Sequence, residues 1–181
     1  FTGQKIPDTM IETVYNALSV QMQNIVLIGM PGCGKSTIAT LLAEKLGRKS
    51  VDADEEVVRL AGKSIPDIFA HDGEEVFRSY ETAALDTLGK GSGCVIATGG
   101  GCVTKVRNYP LLHQNGIIFW LTRPLEMLPT DGRPLSQTNQ LTDLYAVRKV
   151  LYGAFADHVI DNSGSPEETV SAILACLEGK L

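Results

Sequence analysis

The chain predicts an α/β fold, a parallel sheet with helices on both faces. Two observations carry this. Short apolar, β-rich runs alternate with stretches of helical periodicity, and a glycine-rich loop joins one such run to the helix after it. Composition agrees, since 181 residues, 44% of them hydrophobic, suffice for one domain with a sizeable core.

The first predicted strand, residues 25–28 (IVLI), leads into Gly29-Met-Pro-Gly32-Cys33-Gly34-Lys35-Ser36 and a helical segment over 37–46. The second, 50–52, ends in Val51-Asp52-Ala53-Asp54 before a short helix at 55–60. The third, 94–97 (CVIA), runs into Thr98-Gly99-Gly100-Gly101, and strands four and five fall at 117–121 (IIFWL) and 158–161. Runs as apolar as IVLI and IIFWL belong to strands buried on both faces. In such sheets ligands lie beyond the carboxyl ends of the strands, which is where the glycines and aspartates cluster. Residues 124–140 hold three prolines, a glycine and few apolar anchors, so a mobile loop is expected over 129–139.

A net charge of −5 argues against nucleic acid or anionic membrane as the main partner, because both need a basic surface. Cys33, Cys94, Cys102 and Cys176 form no C-x-x-C pair, so neither a disulfide framework nor a zinc site is expected. With no run long enough to span a bilayer and no signal peptide, a soluble cytoplasmic protein is expected. The sequence starts at Phe1 rather than Met, so residues 1–23 are read as an arm or the remnant of an upstream domain, with the main domain at 24–181.

G-x-x-x-x-G-K-S between strand and helix is a phosphate-binding loop. The amides of Gly32, Cys33, Gly34, Lys35, Ser36 and Thr37 are expected to receive the phosphates of a nucleoside triphosphate. Lys35 would neutralise the outer phosphates, and Ser36 would offer its hydroxyl to Mg2+. If the second strand continues, Asp52 and Asp54 point to one side, Asp52 toward the metal and Asp54 toward the attacked group. Asp54 equally suits a helix cap. Glu74, Arg78 and Glu81 share one helix face, as a binding cluster or as a solvated ion pair. Gly99, Gly100 and Gly101 either bring backbone amides close to a second ligand or form a tight turn.

From residue 24 to residue 181 the constellation resembles the shikimate kinase family. The likeness rests on GMPGCGKST, VDAD, DIFAHDGEEVFRSYE, TGGG, GRPL, and R-x-x-L-Y at Arg148 to Tyr152. It implies a three-layer P-loop kinase of the nucleoside monophosphate kinase type, with a five-stranded parallel sheet and a mobile lid. The implied reaction is transfer of the γ-phosphoryl group of ATP, with Mg2+, to the 3-hydroxyl of shikimate, a step in chorismate and aromatic amino acid biosynthesis. By the family pattern Asp54 holds the attacked hydroxyl, while Arg78, Arg148 and the Gly100 amide hold the carboxylate and ring hydroxyls. Glu81 orients Arg78, and Arg133 closes over the phosphates from the lid.

Three departures stand out. The region before the lid, Glu126-Met-Leu-Pro129, lacks the arginine that often stacks on adenine, and the lid before Arg133 is short. An arginine common before the last helix is also absent from Asn162-Ser-Gly-Ser-Pro166, although Pro166 is placed to line an adenine pocket. A monomer is expected. Residues 1–23 faintly resemble the last helix of shikimate dehydrogenases, which would make the chain one end of a fused enzyme; an amphipathic arm explains them as well. Among alternatives, a gluconate kinase should lack the set Asp54, Arg78, Gly100 and Arg148. A non-catalytic relative should have lost Lys35, Ser36, Asp52 or Asp54, and a signalling switch should carry N-K-x-D. His71, His113, His158 and Trp120 are read as structural.

Overall fold

The computed structural model describes residues 7, 9–10, 21–129 and 138–178. Five strands, β1 (Asn24–Ile28), β2 (Lys49–Asp52), β3 (Cys94–Ala97), β4 (Gly116–Thr122) and β5 (His158–Asp161), form one sheet in the order β2-β3-β1-β4-β5. All pairs are parallel. The five β-rich runs are thus the five strands, with the ends of some extended by a residue.

Helices α1 (Lys35–Leu46), α2 (Ala53–Ala61), α3 (Ile65–His71), α4 (Glu74–Gly89), α5 (Asn108–His113), α6 (Thr138–Phe155) and α7 (Pro166–Glu178) connect and flank the strands. β1 is buried along its whole length and β4 in all but its last residue, as their unbroken apolar runs require. Ile118 and Phe119 of β4 are fully buried, and each such side chain contributes about 1.5–3 kcal/mol by leaving water. β1 opens on a fully buried polar residue, Asn24. Asn24 donates to the Gly91 carbonyl at 2.9 Å and accepts from the Cys94 amide at 3.0 Å, which ties β1 to the start of β3.

The second crossover departs from the sequence reading in one respect. β2 stops at Asp52, and α2 begins at once, so Asp52 and Asp54 meet through a helix start and not by alternation along a strand. Before the loop that follows β4, the chain makes a single 3-10 turn, Leu125–Met127. No helix of the described residues is long and apolar enough to cross a membrane.

Candidate active site

Beyond the carboxyl ends of β1, β2 and β3 lies a cleft of about 640 Å3. One wall is the loop between β1 and α1. Gly34 there has φ +97°, a left-handed conformation that favours glycine, and a Cβ on it would stand 3.2 Å from Asn162 Nδ2. Lys35 opens α1, is 8% exposed, and donates from Nζ to the carbonyls of Gly29 (2.9 Å) and Met30 (3.0 Å). The ammonium is therefore held against the loop by neutral acceptors, its charge uncompensated by any carboxylate in that contact. That suits an anion.

Ser36 Oγ donates to Asp52 Oδ2 at 2.8 Å. The other oxygen of Asp52 accepts from the Asp54 amide at 2.9 Å and caps α2. The cap is thus Asp52, not Asp54, and Asp54 lines the cleft from the first turn of the helix. Paired hard oxygens from Ser36 and Asp52 fit Mg2+, which takes few protein ligands and completes its shell with phosphate and water. No group of three or more His, Cys, Asp or Glu side chains able to hold a metal occurs among the described residues.

The opposite wall comes from α4. Arg78 and Glu81 are 7% and 1% exposed, which decides between the two readings of their spacing: this is a buried cluster, not a solvated pair. Arg78 Nη1 donates to Glu81 Oε2 at 2.8 Å, and Nη2 and Nε donate to Glu74 Oε1 at 3.1 and 3.3 Å. Burial raises the pKa of the Glu81 carboxyl, Arg78 draws it back, and the nearby Asp54 adds to the net rise. For Arg78 burial works against the charge, but Glu81 and Glu74 outweigh it and the pKa ends above its ordinary value. Glu81 Oε1 is buried with no hydrogen-bond partner among the described residues. Glu81 lines the cleft, and this oxygen lies covered beneath the glycine run, 2.9 Å from where a Cβ on Gly99 would stand.

The glycine run after β3 fits between these walls. A Cβ on Gly99 would lie 2.9 Å from both Asp54 Oδ1 and Glu81 Oε1, one on Gly100 would lie 2.6 Å from Pro31, and one on Gly101 would strike the Arg78 guanidinium. None of the three has positive φ. They are glycines because the space of their side chains is already filled.

Helix α6 completes the site. Arg148 (9% exposed) donates from Nη1 to the Gly100 carbonyl at 3.2 Å, and Tyr152 donates its hydroxyl to the same oxygen at 2.6 Å. Burial raises the Tyr152 pKa and keeps the phenol a donor. The apolar side of the cleft is Ile65, Phe69, Phe77, Leu141 and Leu144, with the rings of Phe69 and Phe77 4.7 Å apart.

Lys35, Ser36, Thr37, Asp52, Asp54, Arg78, Glu81, Gly99, Gly100, Gly101 and Arg148 therefore share one cleft with Gly32 and Gly34. Cys33 is fully buried and offers only its backbone; Pro166 is exposed at the start of α7 and is not among the lining residues. Arg133 and most of segment 129–139 lie outside the described residues. All four cysteines are free, and burial pushes the Cys102 thiol up to about 12, so it is inert. His71, His113 and His158 engage Asp67, Asp157 and the Phe119 ring, away from the cleft. Sequence reasoning gave Tyr152 and Asn162 no role. The four-residue spacing of Arg148 and Tyr152 was a usable signal, because it puts both on one helix face.

One wall thus carries groups of the kind that suit phosphate and a hard cation, the other two buried arginines, with Asp54 lining the same cleft. Residues 31–178 match the family model described as shikimate kinase. A shikimate kinase of Persephonella marina is 40% identical over 161 residues, covering 84% of this chain and 98% of that protein. Among solved structures, the shikimate kinase of Acinetobacter baumannii in complex with shikimate superposes with a TM-score of 0.82 at 37% identity, covering 92% of this chain and 99% of that one. The enzyme of Aquifex aeolicus gives 0.76 at 35% identity, with coverage of 86% and 96%.

Proposed function

The chain belongs to the shikimate kinase family, and from that premise we propose that it transfers the γ-phosphoryl group of ATP to the 3-hydroxyl of shikimate. The observation that carries this reading is the single cleft in which Lys35, Ser36 and Asp52 face Asp54, Arg78 and Arg148.

In this mechanism the loop amides and Lys35 hold the triphosphate, and Lys35 exchanges its carbonyl acceptors for phosphate oxygens. Ser36 and Asp52 would hold Mg2+, which would offset the charge spreading over the transferred group. Arg78 and Arg148 take the acceptor's carboxylate, a task for which the planar guanidinium fork is suited. Glu81 keeps Arg78 in place. Asp54 aligns the hydroxyl and accepts its proton as the hydroxyl oxygen bonds to the γ-phosphorus and the bond from that phosphorus to the β–γ bridging oxygen breaks, releasing ADP. Little covalent chemistry is required of the protein, and alignment with electrostatic stabilisation supplies most of the rate. Arg133, in segment 129–139, supplies a further cation and closes the site against water.

The kinase unit is taken as 24–181, with 1–23 an arm or the remnant of an upstream segment; β1, which starts at Asn24, and the family match over 31–178 both lie within that unit. We extend the proposal to a monomer, and to the cytoplasm, where the four free thiols suit a reducing compartment.

The test is ADP formation from Mg-ATP with shikimate, quinate or gluconate as acceptor. ADP matched by shikimate 3-phosphate, with shikimate alone, is the expected result, and Asp54→Asn should bind ATP yet lose transfer by at least about a hundredfold. Turnover of gluconate in preference to shikimate, or full activity in Asp54→Asn, would overturn the assignment.

A further inference from the structure

One buried polar cluster beneath the phosphate loop belongs to neither wall of the cleft. Asn162, the residue after β5, is 3% exposed. Its Nδ2 donates to the Cys33 carbonyl at 2.5 Å, and its Oδ1 accepts from Thr169 Oγ1 at 2.6 Å. Thr169 is 1% exposed in the first turns of α7. The carbonyl of Cys33 can only accept, so it fixes which end of the Asn162 amide faces the loop, and the Thr169 hydroxyl fixes the other end.

We infer that Asn162, oriented by Thr169, is a positioning residue for nucleotide binding, because it sets the peptide between Cys33 and Gly34. A trans peptide points its C=O and N–H in opposite directions. With the Cys33 oxygen drawn to Asn162, the Gly34 N–H is turned the other way, toward the cleft that Gly34 lines. A phosphate-binding nest needs its amides converging on the anion, and one reversed peptide would put a carbonyl oxygen there instead. Asn162 also crowds position 34 beyond the demand of its backbone angle: its Nδ2 stands 3.2 Å from the Cβ position, so a side chain there would press on the amide that holds the loop. Asn162 touches no reacting atom. It acts through the loop, and the role rests on the nucleotide-binding half of the proposed function alone.

The test is nucleotide affinity by calorimetry, with ADP and with ATP in the presence of Mg2+ and without acceptor, alongside kinetics and thermal melting. Asn162→Asp, nearly isosteric, replaces the donor with an acceptor facing a carbonyl. Its nucleotide Kd should rise about tenfold or more, equivalent to about 1.4 kcal/mol or more, with KM for shikimate unchanged. Thr169→Val should raise the Kd in the same direction by a smaller factor, and Thr169→Ser, which keeps the hydroxyl, should restore it. A lowered Tm in these variants with the parental nucleotide Kd would overturn the inference, leaving Asn162 a merely structural residue. Because the calorimetry needs no acceptor, it stands even if shikimate proves not to be the substrate. Should Asn162→Asp fail to fold, the contrast of Thr169→Val with Thr169→Ser decides alone: equal Kd values would overturn the role.

Discussion

At the scale of single residues the site is governed by what occupies the space beside the backbone. Gly101 is the sharpest case, since a methyl group there collides with the guanidinium of Arg78, which Glu81 and Glu74 hold on its other sides. The guanidinium would have to give up one of these partners. Hydrogen bonds involving a charged group are worth about 1.5–3 kcal/mol, so Gly101→Ala should raise KM for shikimate about tenfold or more. KM for ATP should stay within about twofold, because the donor wall is untouched. Steady-state kinetics with each substrate varied in turn checks this, and an unchanged KM for shikimate would show that Arg78 does not bind it. The example also marks a limit of sequence reading. The glycine run reads in sequence as the close approach of a second ligand or as a tight turn, but the groups that crowd these glycines are the protein's own Asp54, Glu81, Arg78 and Pro31, 18 to 69 positions away in sequence. Lys35, Ser36 and Asp52 were legible because their partners lie within a strand-loop-helix unit of fixed geometry.

Among elements, α7 is held by a capping box. Ser165 and Glu168 exchange bonds at its start: Glu168 Oε2 accepts from the Ser165 amide at 2.8 Å, and Ser165 Oγ accepts from the Glu168 amide at 3.3 Å. Pro166 takes the first helical position, where a missing N–H costs nothing. Its place is explained by this start, with no adenine contact needed. The hydrogen bonds from Ser165 hold the Glu168 carboxyl below its ordinary value of 4.5. A depressed carboxyl contributes stability above its unfolded pKa and loses it as pH falls through the folded pKa. Glu168→Gln, which imitates the protonated acid, should therefore melt a little below the parent at pH 7, and the gap should close as the pH drops below about 4.5. Melting curves across that range check it; a gap that persisted or widened in acid would assign the effect to something other than the charge. Elements were largely legible, because β1 and β4 are buried apolar runs and the short strands β2, β3 and β5 are β-rich runs set between helical stretches. The region before the lid was not. Leu125–Met127 is a short 3-10 turn followed by Pro129, whose missing N–H and steric demand on Leu128 stop it from growing into a helix.

Across the whole molecule, the core and the acceptor site are joined by a short chain of contacts that makes binding observable without a label. Trp120 is the only tryptophan in the sequence. It lies in β4, 7% exposed, with its ring stacked on Tyr152 at 5.6 Å between centroids. The Tyr152 hydroxyl in turn donates to the Gly100 carbonyl, which it shares with Arg148. By the same peptide geometry as at Cys33, a fixed Gly100 oxygen turns the Gly101 N–H the other way, so this contact orients the glycine run. An acceptor that draws on Arg148 and the glycine amides must alter the hydrogen bond of Tyr152, and with it the surroundings of the indole. Saturable change in tryptophan emission on adding shikimate, with no nucleotide present, is the expected outcome. Tyr152→Phe keeps the stacking ring but removes the hydroxyl; it should lose most of that change and raise KM for shikimate several-fold, as loss of a hydrogen bond worth about 0.5–1.5 kcal/mol implies. Leaving the Gly100 carbonyl to Arg148 alone would also take the guanidinium from the acceptor carboxylate, which pushes KM in the same direction. An emission change of full size in Tyr152→Phe would mean that the indole senses the cleft by another route, and the hydroxyl would then lose its place in the link between core and site.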